Sequence, residues 1–369
     1  MSLKDPIKQI LYLGRGYWTG PGIRPSVFKN FRDTLLCGTE ALGAIEFRSE
    51  NEGRLLFCRC RSKACPSCGY RNTTLWQRDL WCILPEIPYT GINFTMPSVL
   101  WPIFQRDRRL LHDLARLGAE VIQRWAMKKY GVRLLVMVIP QTWGGMGNFN
   151  PHLHILVSTG GVRESDSTWL PSLEFIGAVL MRMWRYCVVT YLRTAIKMGI
   201  VPHQFNGRNL NKDLRIQYEK RWSFFVDHFG SKYHFLKYAG RYVRRPAIAQ
   251  NRIIKITESD VTYSWKDRRE KKQKLRTCTL EEFVALLAEH VPDRYQNSIR
   301  YFGLLAPSAQ KHTKAALYAL LSQTPRPHPP RLCYPESIKR DFGYDPLIDN
   351  NGKQMTRVGF RFPARTELN

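Results

Sequence analysis

The stretch "NFNPHLHILVSTGG", residues 148–161, decides how this chain is read. Two histidines flank one leucine at the mouth of an apolar run. In a β-strand successive side chains point to opposite faces, so His152 and His154 share a face while Leu153 and Ile155 turn into a core. Two ring nitrogens then converge on one point, where imidazole suits a divalent metal. For such a triplet alone, a half-buried strand whose polar face carries histidine is the commoner explanation. The surrounding sequence has to choose between the two.

Upstream, "VRLLVMVIP" reads as a second buried strand, joined to the first by the turn-rich "QTWGGMGNFNP". Before it stand a short strand in "GINFTMP" and a helix across "PIFQRDRRLLHDLARLGAEVIQRWAMKKYG". Downstream, "LEFIGAVLMRMWRYCVVTYLRTAIKMG" reads as a helix and "RWSFFVDHF" as an aromatic strand. "SKYHFLKYAGRYVRRP" reads as a helix weakened at Gly240 and ended near Pro246. "RIIKIT" and "VTYSWK" form a hairpin around "ESD", "KDRREKKQKLR" is a solvated charged connection, and "TLEEFVALLAEHV" is a Thr-capped helix. This order predicts an α+β sheet domain over residues 86–305. Residues 1–85 form a small cysteine-bearing unit. Residues 306–369, with "TPRPHPPR", form a helical and then irregular basic extension.

Lys and Arg number 57 against 30 Asp and Glu, a formal charge of +27. Such an excess repels itself unless a polyanion compensates it, and nucleic acid is the first candidate. The basic residues are spread along the chain, not gathered on one amphipathic helix, which ranks a membrane surface well below DNA or RNA. No apolar run is long enough to span a bilayer, and the N-terminus lacks a secretory h-region. The expected location is the cytosol, where nine cysteines point to metal ligation instead of disulfides.

In "FCRCRSKACPSCG" cysteines stand at 58, 60, 65 and 68, and Cys37 lies upstream in "LLCGTEALG". Cys60, Cys65 and Cys68 have the spacing C-x4-C-x2-C, in which both thiolates of "CPSC" curl around one tetrahedral ion. Nearby Arg and Lys favour the thiolate form. These residues predict a structural zinc whose fourth ligand is Cys37 or Cys58, with Cys37 favoured. Cys82, Cys187, Cys278 and Cys333 are isolated and read as ordinary residues.

In "KYAGRYVRRP" Tyr238 and Tyr242 lie four apart, which on a helix places both rings on one face. Such pairs are usually packing. Here Arg241, Arg244 and Arg245 flank them, and guanidinium groups are suited to holding a phosphate. A metal held by strand histidines polarises a phosphate, and a tyrosine hydroxyl is a competent nucleophile toward its phosphorus.

Together these segments resemble the two-tyrosine HUH rolling-circle transposases of bacterial insertion sequences. The likeness runs through "CGTEALG", "CRSKACPSCG", "FTMP", "PHLHILVSTGGV", "YAGRYVRRPAI" and "IRYFGLLAP", in that order. It implies an HUH nuclease domain with a central antiparallel sheet flanked by helices, behind an N-terminal zinc-binding, DNA-binding domain. It also implies nicking and rejoining of single-stranded DNA at hairpin-bearing element ends through a 5′-phosphotyrosine, in a bacterial, nucleoid-associated protein. On this likeness Tyr238 and Tyr242 are nucleophiles, and His152 and His154 hold Mg2+ or Mn2+. A third polar ligand is Gln141, with Asn148 and Asn150 as alternatives. With no P-loop in the chain, host replication or helicase proteins would unwind the DNA. A plasmid replication initiator or relaxase would share this chemistry, and a non-enzymatic zinc-containing DNA-binding protein would share the charge and the cysteines.

Overall fold

The computed structural model describes residues 5–363, apart from 244–245, 268–269, 271 and 329. It divides into two compact units, each assembled from separated segments: residues 80–243 with 292–327, and residues 1–79 with 244–291 and 328–369. Both combine helices with antiparallel sheets. These units do not follow the linear boundaries at 85 and 305.

The first unit is built on a five-stranded sheet. Its spatial order is Phe224–Phe229, Tyr89–Phe94, Phe149–Ser158, Leu135–Trp143 and Arg300–Gly303, with every neighbour antiparallel. Alternation turns Leu153, Ile155 and Val157 to one face, where they are fully buried. Two long helices, Leu110–Tyr130 and Gly177–Lys197, contribute to the same core. In the former, Leu110, Leu114, Leu117, Val121 and Trp125 are buried at helical spacing. Gly118 sits where this helix meets the histidine strand. A Cβ there would lie 2.5 Å from Leu153 Cδ1, so only glycine permits the close approach. Trp184 of the other helix stacks on Phe94 at 4.9 Å.

Residues 102–131 read in sequence as one helix, but two form, Trp101–Arg106 and Leu110–Tyr130. The break is at Asp107, whose carboxylate accepts from the Arg109 amide and pairs with its guanidinium. A side chain offering the backbone a local partner competes with helix continuation in this way.

The opposite face of the sheet carries the helix Lys232–Ala239, capped by Ser231, whose hydroxyl accepts from the His234 amide. Its Phe235 ring lies 4.3 Å from that of Tyr89. The helix stops at Ala239, short of the expected end near Pro246. Beyond Gly240 the amides of Arg241 and Tyr242 bond to the carbonyls of Tyr238 and Ala239, three residues back. This is a tightened terminal turn, placed where glycine lowers helix propensity.

In the second unit, helices Pro6–Leu13 and Pro25–Leu36 accompany two three-stranded sheets. One contains the expected hairpin, Ile253–Ile256 with Asp260–Lys266, extended by Gln273–Thr279. The charged connection is thus shorter than expected, since Lys274, Leu275 and Arg276 lie in that third strand. The helix Leu280–Glu289 begins with a complete capping box between Thr279 and Glu282. The other sheet has the order Thr356–Arg361, Ala44–Arg48, Gly53–Phe57. The C-terminal segment is therefore not merely irregular: it forms a helix, Tyr334–Phe342, and then an edge strand beside Ala44–Arg48.

Candidate active site and metal centre

The cysteine centre lies in the second unit. Cys37 follows the helix Pro25–Leu36, while Cys65 and Cys68 bracket the start of the helix Pro66–Ile83. The sulfurs of Cys37, Cys60, Cys65 and Cys68 all lie within 4.8 Å of one another. Cys37 and Cys68 are 3.6 Å apart, and Cys60 and Cys68 are 3.7 Å apart. A tetrahedral ion with Zn–S bonds of about 2.3 Å requires S···S edges of about 3.8 Å, so the donor set fits zinc. The amide of Cys60 points at Cys37 Sγ and that of Ser62 at Cys60 Sγ, donors that a metal-bound thiolate would accept. Hydrogen bonds from Cys60, Cys65 and Cys68 hold the Cys37 thiol far below its usual range, whereas the Cys60 and Cys65 thiols are pushed far up. The Cys68 thiol is lowered to about 7, so two of the four sulfurs favour the thiolate form, and a bound cation would let the other two ionise as well. Cys58 is not in this group. Its backbone instead bonds Gly38 and Gly43.

The second constellation lies in the first unit, on the sheet face beneath the tyrosine helix. His154 is 2 % exposed. Its Nε2 is 3.2 Å from Nε2 of His152, and its Nδ1 is 3.3 Å from the Tyr238 hydroxyl. His152 Nδ1 lies 2.7 Å from the Asn150 carbonyl oxygen. A carbonyl only accepts, so Nδ1 carries the proton and Nε2 is the acceptor nitrogen, the tautomer a metal ligand needs. The Tyr242 ring stacks on His154 at 3.8 Å and 20°, and the two tyrosine rings are 5.1 Å apart. The histidine pair and the tyrosine pair, separated by more than eighty residues, are therefore brought together. Burial pushes the Tyr238 phenol well above its usual range, and the neighbouring Tyr242 adds to the shift.

Gln141 is the cross-strand partner of His152, which puts both on one face. Asn150 stands two residues before His152, beside a register shift of the strand pair, and its Oδ1 is buried with no hydrogen-bond partner. Imidazole nitrogens and an amide oxygen are donor types that a divalent cation accepts. Arg241 lies with its guanidinium 6.0 Å from the Tyr238 ring centre. Arg244 and Arg245 fall outside the described residues.

One participant went unnoticed in the sequence. Asn93 is the cross-strand partner of His154, and its Nδ2 is 3.5 Å from the Tyr238 hydroxyl. Its Oδ1 is buried without a partner. The signal was present: an asparagine between Ile92 and Phe94, with opposite parity to both, is an unfavoured residue on the non-core face of a strand.

Residues 12–96, holding the four clustered cysteines, match the family described as transposase zinc-binding domain, of IS91 type. Residues 135–313, holding both histidines and both tyrosines, match the family described as putative transposase. The transposase for insertion sequence element IS801 of Pseudomonas savastanoi pv. phaseolicola is 28% identical over 341 residues, 88% of this chain and 82% of that protein. The putative transposase y4qJ of Sinorhizobium fredii (strain NBRC 101917 / NGR234) is 28% identical over 305 residues, 78% of this chain and 77% of that protein. No solved structure matches. Among the described residues no helix is long and apolar enough to cross a membrane. With a zinc-binding region followed by a putative transposase region, the chain belongs to the transposases that carry an IS91-type zinc-binding domain.

Proposed function

We propose that the protein nicks and rejoins single-stranded DNA at the ends of its own mobile element, in rolling-circle fashion, through a 5′-phosphotyrosine. The observation that carries this reading is the hydroxyl of Tyr238 standing 3.3 Å from His154, whose other ring nitrogen faces His152. A nucleophile and a candidate metal-ligand pair thus meet on one sheet face.

In this reading His152 and His154, with Gln141 or Asn150, hold Mg2+ or Mn2+, which when bound would polarise the scissile phosphate. Tyr238 Oη forms the bond to phosphorus while the bond to the 3′ oxygen breaks. The phenolic proton is lost to solvent and the departing 3′ oxygen takes one up. The ester conserves the bond's energy, so a later 3′ hydroxyl reseals the strand without ATP. Asn93 and His154 orient the Tyr238 hydroxyl, whereas Tyr242 lies stacked on the imidazole. Tyr238 is therefore the first nucleophile, and Tyr242 serves the second cleavage while one end stays attached. Exposed Arg241 contributes to phosphate binding, as do Arg244 and Arg245 by their place in the sequence. The same chemistry in a replication initiator or relaxase would differ in the DNA it recognises, and the zinc-binding region favours transposition.

The test is incubation with a single-stranded oligonucleotide carrying an element end, with and without manganese, followed by a denaturing gel. A manganese-dependent covalent band is expected. Its absence on both element ends, despite tight binding, would leave a DNA-binding protein without strand-transfer chemistry.

A further inference from the structure

We propose that Phe225 is a stacking subsite for a nucleobase next to the scissile phosphate, an inference that rests on single-stranded DNA being the substrate. Phe225 lies on Phe224–Phe229, an edge strand of the central sheet. Its cross-strand partner is Asn93, and the partner of Asn93 on the next strand is His154. Directly opposed residues project to one face, so Phe225, Asn93 and His154 form a row across the site. At about 4.8 Å per strand, Phe225 stands about 10 Å from the reacting imidazole, a distance a base can bridge from its own phosphate.

The other aromatic on this side of the edge strand is covered. Phe229 packs 5.0 Å from Tyr238 and 6.2 Å from Phe235, under the tyrosine helix. Phe225 lies four residues earlier and is 47 % exposed. The helix thus roofs the Phe229 end of the strand and leaves open the end beside Asn93, toward which the Tyr238 hydroxyl points. A single exposed aromatic is unremarkable on a protein surface. One aligned with a nucleophile, on a chain of charge +27, has a defined occupant, because every nucleobase offers a π-face and the phosphates supply the attraction. Lys220 and Arg221, just before the strand, add positive charge at this end.

The measurement is ultraviolet crosslinking of a short thymidine oligonucleotide carrying 5-iodouracil, with the crosslinked peptide mapped by mass spectrometry. The protein is the full chain carrying Tyr238→Phe and Tyr242→Phe, without divalent metal, so the result does not depend on cleavage. A crosslink at Phe225 is expected. Affinity should fall about 5-fold or more in Phe225→Ala and Phe225→Leu and be retained in Phe225→Trp. Circular dichroism of the leucine variant, which keeps an apolar strand residue, separates binding loss from unfolding. Crosslinks confined to other residues, with unchanged affinity in Phe225→Ala, would overturn the subsite while leaving the strand-transfer reading standing. No binding of single strands at all would overturn both. A Phe225→Ala-sensitive dimer with unchanged DNA affinity would assign the edge strand to self-association and overturn the subsite.

Discussion

Lys232 is the first residue of the tyrosine helix, and its side chain is 1 % exposed. Its ammonium donates to the carbonyl oxygens of Trp81 at 2.9 Å and Leu84 at 3.0 Å, and lies 4.5 Å from the centre of the Trp81 ring. Glu86 pairs with it at 2.9 Å, but that carboxylate is half-exposed and also pairs with Arg326, so it adds little. Lys232→Met keeps the apolar stem and most of the volume while removing the donor. Each carbonyl left without a partner costs about 1–3 kcal/mol. Relief from burying the ammonium, which already lowers its pKa, offsets part of that loss. A net destabilisation of about 2 kcal/mol remains, equal to about 30-fold faster amide exchange within 232–239 if the helix opens locally. Hydrogen exchange read by mass spectrometry measures this directly. Covalent adduct formation should slow with it, while DNA affinity, expected to come from phosphate contacts by many Lys and Arg, should hold. Unchanged exchange in this segment would refute the assignment of Lys232 as the anchor of the helix.

Zinc analysis should find one ion per chain, kept in Cys58→Ser and lost in Cys37→Ser under mild chelation, because only Cys37 lies with the other three sulfurs. Equal zinc content in the two variants would contradict that ligand set. Gly118→Val should destabilise the protein by about 1–3 kcal/mol in urea unfolding, since its Cβ would meet Leu153 Cδ1 at 2.5 Å and Ile155 Cδ1 at 3.0 Å. It should also slow adduct formation by displacing the strand that carries the histidines, and full stability with full activity would show that the contact is not tight.

Much of the site was legible because its residues follow strict local periods. Alternation alone put His152 and His154 on one face, and a spacing of four put Tyr238 near Tyr242 even though the regular helix ends between them. The cysteine spacing likewise identified three sulfurs, and the fourth followed from chain reversal after the Pro25–Leu36 helix. What escaped was set by pairing between distant segments. Asn93 matters only through its register with His154, and no local pattern encodes which strand lies alongside. The same holds for Thr356–Arg361, whose Val358 and Phe360 gave no strong strand signal until Ala44–Arg48 supplied the ladder. Asp107 broke a helix that apolar periodicity alone would have continued, because one carboxylate outcompeted the pattern.

In the proposed strand transfer, Tyr238 and Tyr242 are the residues that become joined to DNA. Peptide mapping of the adduct formed on a single-stranded element end with manganese tests this most directly, in the unmodified protein and in Tyr238→Phe, Tyr242→Phe and the double variant. The expected result is phosphate on Tyr238 in the unmodified protein, some adduct on Tyr242 in Tyr238→Phe, and none in the double variant. An adduct on any other residue, or an undiminished yield in the double variant, would contradict the account.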